Sequence, residues 1–257
     1  MLLTIDVGNT NITLGAYLDD ELQFVSLLAT DRARTRDQYA IELYDIFRLH
    51  KINPNAFEGA VISSVVPELS AEISRAVAFI INKNPLMLAP GVKTGLNIMT
   101  DNPAQVGADL IAGAVGAMNL YPLPCIVVDL GTATKVSIID KNGSFLGCTI
   151  APGVAVSLEA LSSRTSQLPR ISYDSPTHSI GKNTVESMQA GVVFGTAAMI
   201  DGICDKIEQE LGQKVKTFVA TGGLSKDIVR NCRHEMIYNG ELLLYGLKII
   251  YYRNIKK

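Results

Sequence analysis

The chain has 257 residues, is 47% hydrophobic and carries a formal net charge of −2, which describes a packed globular protein with room for one large or two medium domains. No long basic tract is present, which argues against nucleic-acid binding through a concentrated basic face, and no apolar run is read as approaching a membrane span. Cys125, Cys148, Cys204 and Cys232 are widely separated and form no CxxC pair, so they read as reduced core thiols of a cytoplasmic protein; with Asp6 so close behind the first apolar run, the start does not read as a signal peptide.

Leu2-Leu3-Thr4-Ile5 is an apolar β-type run that ends in Asp6-Val7-Gly8-Asn9-Thr10, continues as Asn11 to Tyr17, turns through Leu18-Asp19-Asp20-Glu21 and resumes at Leu22 to Val25. Arg36 to His50 is predicted to be a helix, with Ile41, Tyr44, Asp45 and Leu49 near helical periods. Gly59 to Val66 is a buried-type strand stopped by Pro67, and Glu68 to Asn82 a helix with Leu69, Ile73, Val77 and Ile80/Ile81 as its stripe. A short strand at Leu86 to Leu88, a turn at Pro90-Gly91 and a loop at Asn102-Pro103 precede a helix of small residues from Ala104 to Leu120. Tyr121-Pro122-Leu123-Pro124 ends that helix and divides the chain into half-domains 1–120 and 121–257.

The second half repeats the first. Cys125 to Val128 leads into Asp129-Leu130-Gly131-Thr132-Ala133, then Lys135 to Asp140, a turn at Lys141-Asn142-Gly143, and Ser144 to Gly147. A helix from Gly153 to Leu161, a polar stretch from Ser162 to Thr184 and a long apolar helix from Val185 to Leu211 follow. A strand from Val215 to Ala220 ends in Thr221-Gly222-Gly223 and matches Ala60 to Ser64 of the first half; Leu242 to Asn254 closes the chain as a helix.

Strand, acidic glycine turn, strand, turn, strand thus occurs twice, the outline of an α/β protein whose two similar halves face each other across a cleft. Gly8 allows a tight turn, Asn9, Thr10, Asn11 and Thr13 add short polar side chains, and Asp6 can hold a hydrated Mg²⁺ beside phosphate oxygens. Asp, Asn and Gly are also ordinary hairpin-turn residues, and it is the copy at Asp129 that tips the balance towards phosphates. Asp109, in the first turns of an apolar helix, either offsets the helix dipole or acts as a general base, and spacing alone leans to the former. Gly222-Gly223 permits close approach of a nucleobase or ribose, or is a plain turn. Gly181 to Thr184 is a helix cap that could also bind a carboxylate or amide, and His50, His178 and His234 form no ligand pattern.

In these residues the chain resembles the type III pantothenate kinases of the acetate/sugar kinase and actin-like ATPase superfamily. The markers are Asp6 to Ile12, Ser63-Ser64-Val65-Val66-Pro67, Asn102-Pro103 through Val106-Gly107-Ala108-Asp109, Asp129 to Thr134, Ala151-Pro152-Gly153, Asn183 to Gly191 and Thr221-Gly222-Gly223. The resemblance implies a duplicated ribonuclease H-like fold with a nucleotide cleft between the halves, and ATP-dependent phosphorylation of pantothenate, the first step of coenzyme A synthesis. It implies ATP contacts at Asp6, Val7, Gly8, Asn9, Thr10, Asn11, Ile12, Thr13 and Thr132, and Mg²⁺ near Asp6. It further implies a monovalent cation, K⁺ or NH₄⁺, at Asp129, and pantothenate contacts at Thr100, Gly107, Ala108, Asp109, Leu110 and Thr184, with Asp109 as proton acceptor. A homodimer is implied, and neither nucleic acid nor membrane as a partner. The departures are Leu110 where Arg is usual, Thr100 where Tyr is frequent, Lys135 where a further Thr is usual, Gly147-Cys148-Thr149-Ile150 in place of a glycine-rich lead into Ala151-Pro152-Gly153, and Asn239 to Gly246 in place of an Asp-Pro-x-Leu-Thr-Leu-x-Gly segment. They keep two other readings open: a nucleotide-binding regulatory or catalytically impaired relative, and a kinase for another small hydroxylated acceptor.

Overall fold

The computed structural model describes residues 1–255, and its contacts divide the chain into two compact units. The first comprises residues 1–96, 102–116 and the chain from 242 onward; the second comprises 97–101 and 117–241.

In the first unit β1 (Leu2–Val7), β2 (Asn11–Leu18) and β3 (Glu21–Ala29) form an antiparallel meander. Helix α1 (Arg36–Leu49) returns the chain to β4 (Gly59–Ser64), parallel to β1, and α2 (Pro67–Ile81) returns it to β5 (Leu86–Met87), parallel to β4. Parallel neighbours need such crossovers, whereas the antiparallel pairs close through short turns. Pro67 stands at the first position of α2, where its missing N–H costs nothing, and the expected stripe of Leu69, Ile73, Val77 and Ile81 is buried. The residues that mark the helical period of α1 are not the ones it buries. Tyr39, Ala40, Leu43, Ile46 and Phe47 enter the core, while Ile41, Tyr44 and Leu49 are exposed. Both sets recur at three- and four-residue intervals, and the larger one, with two aromatic rings, takes the core.

The short strand β6 (Asn97–Ile98) joins the second unit's sheet. Helix α3 (Ala108–Leu120) starts four residues later than expected, because Pro103–Gln105 form a single 3₁₀ turn and Val106 is extended. In the second unit β7 (Cys125–Leu130), β8 (Ala133–Ile139) and β9 (Ser144–Pro152) form the second meander, followed by α4 (Val154–Arg164) and α5 (Thr184–Leu211). Then β10 (Thr217–Thr221) pairs parallel to β7, and after α6 (Ser225–Val229) the strand β11 (Ile237–Tyr238) pairs parallel to β10. The strand orders β3-β2-β1-β4-β5 and β9-β8-β7-β10-β11 are the same, with β6 added beyond β9.

The last helix, α7 (Leu242–Ile255), packs in the first unit, so the contacts do not divide the chain linearly at residue 120. Leu244, Leu247, Ile250 and Tyr251 share a core with Leu2, Tyr17, Val61, Ala112 and Val115. Two glycines permit the approach of α3 and α7. A Cβ on Gly246 would lie 1.9 Å from the Ala112 carbonyl oxygen, and one on Gly116 would lie 2.4 Å from that of Leu242. The small residues expected in α3 therefore serve helix–helix contact. Helix α5, against expectation, is long and apolar enough to cross a membrane by length and composition. Half of its most apolar window is buried, and Met188, Val192, Val193, Ala197, Ile200 and Cys204 belong to the second unit's core; a buried core helix meets the same criterion.

Candidate active site

The acidic turn of the first unit is a tight hairpin. Val7 and Ile12 pair across it and are buried, while Asn9, Thr10 and Asn11 are exposed at the tip. Val7 and Ile12 thus anchor the turn and leave its tip facing solvent. The Gly8 N–H donates to the Asn11 carbonyl at 3.0 Å, so this amide shapes the turn. The end of β3 braces it: the Thr30 hydroxyl donates to the Gly8 carbonyl at 2.7 Å, the Thr30 N–H to the Thr10 carbonyl at 2.9 Å, and Arg32 Nη2 to Asn9 Oδ1 at 3.2 Å. Arg32 brings a cation to a turn suited to phosphate, and no motif in the sequence marks it.

Asp6 lies at the end of β1, in register with Thr13 on β2 and Ser63 on β4, so these three side chains share one face. Ser63 Oγ is buried and has no hydrogen-bond partner among the described residues. The carboxylate and the two hydroxyls that flank it in register are oxygen donors of the kind a hydrated Mg²⁺ takes, and Ser63 offers a buried hydroxyl for a bound water.

The second turn repeats the form. The Gly131 N–H donates to the Ala133 carbonyl at 3.1 Å, and Gly131 and Thr132 are exposed. Gly153 fits beneath, its N–H donating to the Thr132 carbonyl at 3.1 Å; a Cβ there would lie 2.4 Å from the carbonyl oxygens of Gly131 and Thr132. Gly222 adopts φ +97°, and a Cβ there would lie 2.5 Å from the Leu130 carbonyl oxygen, so packing against β7 already requires this glycine. Asp129 is in register with Thr221 on β10 and with Lys135 on β8. Lys135 Nζ lies 2.7 Å from Asp129 Oδ2. This donor set does not fit K⁺ or NH₄⁺ in addition, because the carboxylate charge is already balanced by an ammonium.

Asp109 occupies the first turn of α3. Its Oδ1 accepts the Leu110 N–H at 2.8 Å, and a Cβ on Gly107 would lie 2.5 Å from the same oxygen and 3.9 Å from Val65 Cγ1. Any side chain at 107 would therefore displace the carboxylate. The Val65 N–H in turn donates to the Val7 carbonyl at 3.0 Å. Within the first unit, the Gly107–Asp109 segment thus adjoins the end of β1 from which the acidic turn springs. Leu110 is half-buried where a guanidinium was the usual expectation.

Thr100 and Thr184 both lie in the second unit. Thr100 Oγ1 is buried without a hydrogen-bond partner among the described residues. At the start of α5 the cap is Asn183, whose Oδ1 accepts the Glu186 N–H at 2.9 Å, while Glu186 Oε2 accepts the Lys182 N–H at 2.8 Å. Thr184 instead lines a cavity of about 520 Å³ with Leu161, Leu168, Ser187, Met188, Gly191 and Val192. That volume suits a small molecule, and the lining is apolar with two hydroxyls.

Folding also gathers residues that the sequence left scattered. Ligand atoms of Asp205, Glu208 and His234 lie within 4.8 Å of one another. Each already has a partner: Asp205 has Arg233 at 2.7 Å, Glu208 has Lys214 at 2.6 Å and His234 Nδ1 has Asp201 at 2.9 Å. Burial acts to raise the Asp201 carboxyl, but the Arg233 N–H, the His234 ring and the His234 N–H outweigh it and hold the group below the usual carboxylate range. This is an ion-pair network tying α5 to the segment before β11. Of the four cysteines, Cys125, Cys204 and Cys232 are at least partly buried, and burial pushes their thiols up to about 12; Cys148 is exposed, contrary to its reading as a core thiol.

A type III pantothenate kinase family model matches residues 2–206. A type III pantothenate kinase of Exiguobacterium sibiricum is 43% identical over 99% of this chain and 100% of its own length. Among solved structures, the activator of 2-hydroxyisocaproyl-CoA dehydratase from Clostridium difficile superimposes with a TM-score of 0.59 at 12% identity, covering 100% of this chain and 98% of that one. Component A of the (R)-2-hydroxyglutaryl-CoA dehydratase of Acidaminococcus fermentans gives 0.57 at 16% identity, covering 99% of each chain. The fold is the duplicated ribonuclease H-like, actin-like ATPase fold.

Proposed function

We propose, from the premise that this chain belongs to the type III pantothenate kinase family, that Asp109 is the base that takes the proton from the attacking hydroxyl of pantothenate. The chain phosphorylates pantothenate with ATP, assisted by a divalent metal, in coenzyme A biosynthesis. The observation behind the role of Asp109 is its seat. Gly107 leaves room for the carboxylate, and Val65 links that segment to the end of β1 that bears the acidic turn. Phosphoryl transfer is governed by alignment and charge stabilisation, so a base held beside a phosphate turn is the arrangement the reaction needs.

In this reading Asn9, Thr10 and Asn11 meet ATP phosphate oxygens, Gly8, Val7 and Ile12 shape and anchor the turn, and Arg32 adds a positive charge at its tip. Asp6, with Thr13 and Ser63 on its face, would hold Mg²⁺. When bound, Mg²⁺ neutralises charge on the phosphate oxygens. In the second unit Thr132 takes a phosphate oxygen. Thr100 and Thr184 offer hydroxyls to pantothenate, and Gly107, Ala108 and Leu110 frame the acceptor beside Asp109. The apolar residues Val156, Leu161, Ile180 and Val185 stay exposed around α4 and the start of α5, which supports a homodimer formed through this region. Four cysteines without a disulfide are consistent with the cytoplasm.

The test is ADP release from Mg·ATP with and without pantothenate, for the chain and for Asp109→Asn. ADP that depends on pantothenate and disappears in the variant, with ATP binding retained, is the expected result. Unchanged turnover in Asp109→Asn would remove Asp109 from the mechanism. ATP binding without pantothenate-dependent ADP would favour a regulatory relative, and a panel of small hydroxylated acids in the same assay would reveal a different acceptor.

A further inference from the structure

We infer that Lys135 is a built-in monovalent cation: its ammonium occupies the place at Asp129 that the resemblance gives to K⁺ or NH₄⁺, so this chain works without either ion. The inference rests on the kinase reading for its activity assay but not for its binding assay. It begins with register. Antiparallel pairing of β7 and β8 sets Lys135 directly across from Asp129, and Nζ closes on Oδ2 at 2.7 Å. Both side chains are largely withdrawn from water, at 16% and 17% exposure. Other lysine pairs of this chain differ: Lys214 is 87% exposed on Glu208, and the partner of Lys248, Asp20, is 99% exposed.

The chemistry of the replacement is direct. A lysine head group is an ammonium ion with one N–H exchanged for a carbon, and it keeps three donors. The tether holds it at the carboxylate at a high effective concentration, so an ion from solution has to displace it. A second cation beside it would meet like-charge repulsion where water screens poorly. The pair also sits under the phosphate turn, since a Cβ on Gly131 would lie 3.8 Å from Asp129 Oδ1. Lys135 is therefore a positioning residue: it balances Asp129, and Asp129 supports the Gly131-Thr132 turn. A cross-strand pair that merely stabilised the hairpin would look the same but would confer no independence from K⁺.

The experiment compares the full chain with Lys135→Thr and Lys135→Met in chloride salts of tetramethylammonium, Na⁺, K⁺ and NH₄⁺ at equal ionic strength. Pantothenate-dependent ADP release and the thermal unfolding midpoint are both read. The unaltered chain should show equal rates, within about twofold, in every salt, and no K⁺-specific rise in midpoint. Lys135→Thr should lose about tenfold or more in tetramethylammonium, recover saturably with K⁺ or NH₄⁺, and gain a K⁺-specific rise in midpoint. A strong K⁺ requirement in the unaltered chain would overturn the inference even if neither variant folds. So would a Lys135→Thr protein slowed equally in all four salts. If no salt supports pantothenate-dependent ADP release, the kinase reading fails, and the K⁺-specific midpoint shift still decides the role of Lys135.

Discussion

The two acidic turns stand at matching places in two sheets of the same strand order, yet their carboxylates meet different neighbours. Asp6 has Thr13 across the antiparallel pair and Ser63 across the parallel one; Asp129 has Lys135 and Thr221. The parallel neighbour is a hydroxyl in both. The antiparallel neighbour is a hydroxyl in one copy and an ammonium in the other, and that ammonium balances the second carboxylate. Duplication supplied the same backbone twice, and the side chain across the antiparallel pair differs between the copies. The first unit also has the Gly107–Asp109 segment beside its turn, whereas the second has the Thr184 cavity and the His234 network.

The largest effect should come from Asp109→Asn, which removes the proposed base and leaves both turns intact. Turnover should fall by roughly 10²- to 10⁴-fold with ATP binding little changed, as measured by steady-state ADP release and by titration with a fluorescent ATP analogue. Gly107→Ala should approach this loss without touching the carboxyl, because its Cβ would push Asp109 Oδ1 aside. Thr13→Lys would place an ammonium across the antiparallel pair from Asp6, as Lys135 stands across from Asp129. Mg·ATP binding should then weaken by about tenfold or more, and isothermal titration with and without Mg²⁺ checks this.

Smaller effects fall on stability. Gly246→Ala drives a methyl group into the Ala112 carbonyl and should destabilise the first unit by about 1–3 kcal/mol or more, read from urea unfolding. In the second unit the folded Asp201 carboxyl lies below its unfolded value. Its contribution is therefore fully present above the ordinary carboxylate range, near pH 4, and is lost as pH falls through the folded value. Asp201→Asn should cost about 1–3 kcal/mol at pH 7 and flatten the acid limb of the stability curve. The smallest perturbation is chemical. Iodoacetamide at neutral pH should label Cys148 well before Cys125, Cys204 or Cys232, as peptide mass analysis would show; buried thiols held at about 12 supply almost no thiolate.

The sequence alone determined the duplication, because strand, acidic glycine turn and strand are local patterns written twice, and period-two and 3.6-residue hydrophobicity are properties of neighbouring residues. It placed Asp6, Asp109 and Asp129 at the ends of their elements, the stripe of α2, and the cap region of α5. Only the tertiary structure decided that Asn183 takes the cap and leaves Thr184 to the cavity, that α1 buries Tyr39, Leu43 and Phe47 rather than Ile41 and Tyr44, and that α7 returns to the first unit. It alone brought Arg32 to the first turn and showed Lys135 closed on Asp129. The physical reason is range. Periodicity and turn chemistry act over a few residues, while a charge partner, the face a helix buries and a glycine that lets two helices touch depend on residues brought together only by folding.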